Sequence, residues 1–295
     1  MQLTIGTIAF ATFLWWFSTG LIFFLNARPP HTFRWSMLAG CFVLTGALYG
    51  LWASAGSDTV GAAFVAFSCG LVIWGWHTMS YYMGVITGPR RSPCPPDCRG
   101  LQRFQYALAT SLYHEFAIIA TVVLMVWLTW GQPNLLGLWT FVLLWGMHVS
   151  AKLNVFLGVR NLNVEFIPQR LNYLSTYFRK KPMNLLFPFS VTAGTIITLL
   201  LAQQALLAEP GTAAAVAFTL LASLMALAVI EHWFMILPIQ ADALWRWSLK
   251  APAGQDEAHR HGAGVPHGGS EARHGVTAVR DNPTNMKTIA SSANS

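Results

Sequence analysis

Long apolar stretches alternate with short polar stretches along most of the chain. Seven apolar stretches approach the roughly 20 residues that an α-helix needs to cross the hydrocarbon core of a bilayer. They span residues 3–25, 35–53, 60–84, 106–130, 135–157, 185–207 and 213–237. The pattern therefore predicts about seven membrane-spanning helices. None of these stretches has the glycine and proline interruptions of a broken transporter helix, so we expect each helix to be continuous.

Apart from Lys152, near the end of the fifth apolar stretch, lysine and arginine occur only in alternate polar stretches. All 18 of them fall within residues 26–34, 85–105 and 152–181 or after the last apolar stretch. The N-terminus and the other connecting loops contain none, and their only charged residues are Asp58 and Glu209. Loops rich in lysine and arginine stay on the cytoplasmic side of a membrane. The sequence thus predicts an all-α, polytopic membrane bundle with its N-terminus outside and its C-terminus in the cytoplasm.

Composition agrees with this arrangement and divides the chain. Only 10% of the residues are charged, whereas soluble domains carry about 25%. The net charge of +7 comes from cations that face the cytoplasm, so the predicted partner is anionic lipid at that face and not nucleic acid. Residues 1–250 are predicted to form the transmembrane domain. Residues 251–295 are rich in Gly, Ala, Ser, His and charge, which predicts a disordered cytoplasmic tail.

Two of the polar stretches contain features of their own. Residues 168–179 can form a short helix whose Leu171, Leu174 and Phe178 share one face, lying either along the membrane surface or against the bundle. Cys94 and Cys98 lie in the stretch after the third predicted helix. Their spacing is not that of a C-x2-C zinc knuckle, and no second pair completes a tetrahedral site, so we expect no metal or redox role for them.

Ionisable residues inside the predicted helices are the candidates for chemistry, since such groups are costly in a membrane and usually face the bundle interior. They are His77, His114, Glu115, His148, Glu231 and His232, with Lys152 one turn after His148. At about 1.5 Å of rise per residue, the four imidazoles lie roughly 8–13 Å from the cytoplasmic ends of their helices. The pattern predicts one polar layer shared by four helices.

Three interpretations of this layer remain open. The first is a set of polar links between helices. The second is an iron or zinc centre with ligands drawn from all six residues. The third is a tetrapyrrole site, in which His77, His114, His148 or His232 ligates a haem iron or a chlorophyll magnesium. The histidine boxes of membrane di-iron hydroxylases are absent from the sequence, which disfavours an enzyme of that kind.

Several segments resemble the PuhE family, whose members are photosynthetic complex assembly proteins of purple phototrophic bacteria. The resemblance rests on Tyr113-His114-Glu115, on residues 152–163 and on Lys181-Pro182-Met183-Asn184 followed by residues 186–188. It implies a protein of the bacterial inner membrane, cytoplasmic or intracytoplasmic, that assists assembly of the reaction centre and its core light-harvesting subunits. It also implies an influence on bacteriochlorophyll supply. The alternative function is a membrane metal-dependent oxidoreductase or hydroxylase acting on a pigment, carotenoid or quinone.

Overall fold

The protein is a bundle of helices. The structure, a computed structural model, describes residues 2–162 and 167–238, and every regular element within these ranges is helical. The α-helices are α1 (Gln2–Asn26), α2 (Phe33–Ala55), α3 (Val60–Tyr82), α4 (Gly100–Ala109), α5 (Leu112–Leu128), α6 (Leu136–Leu157), α7 (Leu186–Leu207) and α8 (Ala213–Phe234). Six of the described helices are long and apolar enough to cross a membrane, and the bent pair of α4 and α5 brings the number to seven if the pair counts as one span. The all-α, polytopic prediction is therefore confirmed, while the predicted tail, residues 251–295, lies outside the described residues.

The fourth predicted helix, residues 106–130, is not continuous. Helices α4 and α5 meet at an angle of 61°, and Thr110 and Ser111 lie at the junction, which we call the break. The Thr110 hydroxyl donates to the carbonyl of Ala107 at 2.6 Å, a local bond that competes with helix continuation. The prediction of an unbroken helix was therefore wrong. Thr110 and Ser111, together with the α3–α4 loop that contacts them, end the helix here. The break itself contains no glycine or proline that would have signalled it in the sequence.

The loop after α3 supplies the partners that the break needs. The Thr87 carbonyl accepts from the backbone N–H of His114 at 2.8 Å, and the Arg90 N–H donates to the Ala109 carbonyl at 3.2 Å. Gly88 passes so close that a Cβ there would overlap the Ala109 carbonyl oxygen and lie 2.6 Å from the carbonyl carbon of Thr110. Backbone groups freed at membrane depth need such internal partners, so the loop and the break form one unit.

Helix α3 is the centre of the bundle, since it packs against α1, α2, α5, α6 and α8. Its approach to α6 is close because Gly70 faces Gly137: a Cβ on Gly137 would lie 2.6 Å from the Ala66 carbonyl oxygen. Small residues allow such backbone proximity between membrane helices. Apolar clusters extend from α3 on both sides, one with Phe67 toward α1 and α8, the other with Ile73 toward α2, α5 and α6.

The segment between α6 and α7 packs against the same end of the bundle as the α3–α4 loop. A 3-10 helix, Gln169–Tyr177, occupies the region predicted to be helical. Leu171, Leu174 and Tyr177 are buried, and the Tyr177 hydroxyl accepts from Arg90 Nε at 2.7 Å and donates to the Ser92 carbonyl at 2.9 Å. Of the two predicted placements, the structure shows packing against the bundle. The loops joining α3 to α4 and α6 to α7 therefore lie together, and we call this the basic end of the bundle.

A disulfide, which was not predicted from the sequence, closes part of the α3–α4 loop. It joins Cys94 to Cys98, and the backbone N–H of Cys94 donates to the Thr176 hydroxyl at 2.9 Å. The two prolines and the aspartate between the cysteines form a turn, which brings residues four apart within bonding reach. The pair thus helps to fix the loop that fills the break.

Candidate functional site: a row of buried histidines

Three of the predicted site residues meet near the basic end. His77 of α3, His114 of α5 and His148 of α6 form a row with ring-centroid distances of 6.0 Å between His77 and His114 and 6.3 Å between His114 and His148. His77 is 1% exposed and His114 is 2% exposed, and His148 is half-buried. His77 Nε2 shares a hydrogen bond with the Thr121 hydroxyl at 2.9 Å. We call these three residues the histidine row.

Aromatic side chains enclose the histidine row. Trp74 lies 5.3 Å from His148 and Trp76 lies 5.2 Å from His77, measured between ring centroids. Tyr81 approaches His114 at 4.8 Å, and Phe141 approaches His77 at 5.7 Å. The contacts of Trp74, Trp76 and Phe141 are edge-to-face and that of Tyr81 is tilted. Such contacts favour fixed ring orientations, so aromatic rings hold the imidazoles in place.

The break is what places His114 in this row. His114 lies in the first turn of α5, and its backbone N–H is bonded to Thr87. Because the first backbone N–H groups of a helix have no partner within it, the α3–α4 loop can hold the start of α5 directly. The position of the central imidazole therefore depends on the loop that contains Thr87 and Gly88.

Two buried imidazole nitrogens of the row, Nδ1 of His77 and Nδ1 of His114, have no hydrogen-bond partner among the described residues. The same holds for Nε1 of Trp76, beside His77, and for Oγ1 of Thr87 in the α3–α4 loop. Buried polar groups are nearly always partnered, so the two imidazole nitrogens are open to a partner from outside the chain, such as an ordered water or a ligand's polar group. A neutral imidazole offers one nitrogen lone pair and one N–H, so each Nδ1 can accept or donate one hydrogen bond or bind a metal.

Glu115 has a different role from the one that a metal centre would require. Its carboxylate forms a salt bridge with Lys152 Nζ at 2.5 Å and accepts from Trp145 Nε1 at 3.3 Å. Lys152 also donates to the Ser111 hydroxyl at 2.9 Å. A charge pair with these additional hydrogen bonds can persist in a membrane helix bundle. Glu115 thus links α5 to α6 beside the histidine row.

The other two predicted residues lie away from the row. His232 Nε2 shares a hydrogen bond with the Ser150 hydroxyl at 2.9 Å, and its Nδ1 is bonded to the Ala228 carbonyl. Ser150 and His148 are two residues apart, so they point to nearly opposite sides of α6. The Glu231 side chain is hydrogen-bonded to Trp15 of α1. The predicted four-helix layer is therefore a row on three helices plus separate links to α8.

The six predicted metal ligands consequently do not share one location. Among residues 2–162 and 167–238, no group of three or more His, Cys, Asp or Glu side chains is placed to hold a metal ion. Two residues that contact the row were not among the predicted site residues: Thr121, whose hydroxyl bonds to His77, and Thr87, whose carbonyl bonds to the His114 N–H. Thr87 lies between Gly84 and Gly88 in a loop, and these glycines were the available signal that a backbone approaches closely there.

Comparisons with known proteins place the chain in a family. The sequence model of a family described as "Protein of unknown function (DUF3623)" matches residues 1–256. An "uncharacterized 30.4 kDa protein in puhA 5'region" of Rhodobacter capsulatus is 39% identical over 260 residues, which cover 86% of this chain and 93% of that protein. No solved structure matches. Since both matches extend over nearly the whole helical part, the chain belongs to the DUF3623 family of proteins of unknown function.

Proposed function

We propose that this protein is a non-enzymatic inner-membrane factor for the assembly of photosynthetic complexes, acting on the reaction centre and core light-harvesting subunits. The observation that carries the proposal is the relative in Rhodobacter capsulatus, which is described as a protein in the puhA 5′ region. A likeness at 39% identity over most of both chains supports a shared role. The resemblance to the PuhE family agrees with it.

The histidine row supports a more specific role, the holding of a tetrapyrrole such as bacteriochlorophyll during assembly. A chlorophyll magnesium or haem iron binds a neutral imidazole nitrogen, and Nδ1 of both His77 and His114 is buried without a partner among the described residues, so these two residues would hold the metal of such a group. The surrounding Trp74, Trp76 and Tyr81 rings suit an aromatic macrocycle. A bound tetrapyrrole would supply the pigment, while the chain's own residues orient it and keep it apart from water.

The proposal is tested by deletion and complementation in a phototrophic host. Loss of the gene should lower the near-infrared absorbance of assembled reaction centre and core antenna per cell. Wild-type protein should restore this absorbance, and His114→Ala should restore it only partly. His31→Ala is the matched control, because His31 is exposed and lies in the turn before α2, outside the histidine row.

A second measurement on the purified protein separates assembly from pigment holding. Protein isolated in mild detergent from phototrophic cells should show tetrapyrrole absorption bands, which His114→Ala weakens and His31→Ala leaves unchanged. Unchanged absorbance in the deletion strain would overturn the assembly function. Normal complementation by His114→Ala, at equal protein level and without tetrapyrrole bands in any sample, would overturn pigment holding alone.

A further inference from the structure

Four exposed cations form a patch at the basic end, between α6 and α7. They are Arg160, Arg179, Lys180 and Lys181, which we call the cationic patch. Backbone pairing brings the two parts of the patch together: Val159 and Lys180 form an isolated parallel bridge. The Val159 N–H donates to the Arg179 carbonyl at 3.2 Å, and the Lys181 N–H donates to the Val159 carbonyl at 3.1 Å. Cations about 20 residues apart in sequence are therefore neighbours in space.

A buried asparagine fixes the patch to the bundle. Asn184 is 8% exposed and donates to the Gly158 carbonyl at 2.9 Å and to Asn154 at 3.1 Å. Gly158 has a φ of 123°, and a Cβ there would lie 2.8 Å from the Lys181 side chain. The stem of Lys181 thus lies over the Gly158 backbone. The patch is a built surface and not only a charged run of sequence.

The four cationic side chains have no acidic partner among the described residues. The one salt bridge in these ranges joins Lys152 to Glu115, and no hydrogen bond or ion pair engages the side chains of the cationic patch. Unpaired cations attract anions most strongly where several lie together. The patch can therefore accept an anionic group from outside the chain.

Exposed apolar side chains continue directly from the cations. Met183 is 51% exposed, Leu185 is 87% exposed and Phe189 is 73% exposed. Helix α6 ends at Leu157 and α7 begins at Leu186, so these side chains lie where two spanning helices reach the membrane surface. Cations at headgroup level with apolar groups beside them match the two halves of a phospholipid.

We propose that the cationic patch, together with Leu185 and Phe189, binds one anionic phospholipid. The phosphate lies on Lys180, Lys181 and Arg160, and an acyl chain runs along Leu185 and Phe189. Charge distribution alone predicts that anionic lipid is attracted to the whole basic end. The cationic patch gives that attraction one defined site. A free phosphate shares the headgroup chemistry but lacks the chain, so the two sources can be told apart.

Native mass spectrometry of the purified full-length protein, titrated with phosphatidylglycerol or phosphatidylcholine, tests this site. Wild-type protein should retain phosphatidylglycerol in preference to phosphatidylcholine. Each interfacial cation contributes about fivefold to affinity, so Lys180→Gln with Lys181→Gln should raise the dissociation constant about 30-fold. The matched control is Arg91→Gln with Arg99→Gln, which removes the same charge from two exposed sites in the α3–α4 loop and should change the constant little.

A second variant and a competitor decide the remaining alternatives. Leu185→Ser changes a side chain that is 87% exposed, so it should leave the fold intact yet weaken binding of the diacyl lipid. Inorganic phosphate should displace the lipid poorly. An equal loss of lipid affinity in the lysine double variant (Lys180→Gln with Lys181→Gln) and in the arginine double variant (Arg91→Gln with Arg99→Gln) would overturn the site, because net charge alone would then explain binding. Unchanged binding in Leu185→Ser, or full displacement by phosphate at lipid concentrations, would overturn the phospholipid as its occupant.

Discussion

Asn184 joins the start of α7 to the end of α6 with a single side chain. Its amide donates to the Asn154 carbonyl, the Asn154 side-chain oxygen and the Gly158 carbonyl, and its oxygen accepts from the N–H groups of Leu186 and Phe187. The last two bonds satisfy backbone donors at the first turn of α7, which have no partner within the helix. The other three bonds attach the segment before α7, which contains Arg179, Lys180 and Lys181, to the end of α6.

Replacing Asn184 should therefore destabilise the protein strongly for a single polar residue. We expect Asn184→Ala to lower the free energy of unfolding by about 3 kcal/mol, because several buried donors and acceptors lose their partner together. Unfolding by SDS in mixed micelles measures this change. Asn172→Ala is the control, since Asn172 is exposed in the 3-10 helix and should cost less than about 0.5 kcal/mol. Similar losses in both variants would contradict the role assigned to Asn184.

The break between α4 and α5 is the element on which the histidine row depends. The α3–α4 loop fills it, and Gly88 contacts the backbone of Ala109, Thr110 and Ser111. A methyl group at Gly88 meets carbonyl and amide atoms that cannot rotate away, and overpacking of this kind costs about 1–3 kcal/mol. The loop can yield only by moving Thr87, which holds the N–H of His114.

Gly88→Ala should accordingly lower the free energy of unfolding by about 2–3 kcal/mol and weaken any tetrapyrrole bands of the purified protein. Gly146→Ala is the matched control, because a Cβ at Gly146 meets nothing within 4 Å. Absorption spectra and SDS unfolding on the same samples measure both effects. If the Gly88→Ala protein were as stable as the Gly146→Ala protein, the contact between the α3–α4 loop and the break would have room for a methyl group.

The sequence predicted the helices well because membrane helices need long apolar runs, and this signal is independent of tertiary contacts. It failed at the break, where Thr110 and Ser111 are ordinary residues for a helix and the decisive contact comes from Gly88, about 20 residues away. It predicted one depth for His77, His114 and His148, whose neighbouring rings lie 6.0 and 6.3 Å apart in the structure, but depth does not give the rotation of a helix. His232 was therefore assigned to the same layer although it bonds to Ser150.

At the scale of the whole molecule, the two ends of the bundle differ in charge. The basic end holds the cationic patch and the loop with Arg90, Arg91 and Arg99, whereas the loops from α2 to α3 and from α7 to α8 contain only acidic charges, Asp58 and Glu209. Cytoplasmic loops accumulate lysine and arginine. We therefore predict that the basic end faces the cytoplasm and that the N-terminus lies outside.

Single cysteines and a membrane-impermeant maleimide test this orientation directly. In a background with Cys41→Ser, Cys94→Ser and Cys98→Ser, which removes the exposed free thiol and the cysteine pair of the α3–α4 loop, Glu209→Cys should be labelled in intact spheroplasts. Asn172→Cys should be labelled only in inside-out vesicles, and the background protein should stay unlabelled in both. Both substituted positions are exposed, so accessibility differs only by side of the membrane. Labelling of Asn172→Cys in spheroplasts would reverse the topology and place the cationic patch, and its phospholipid, in the outer leaflet.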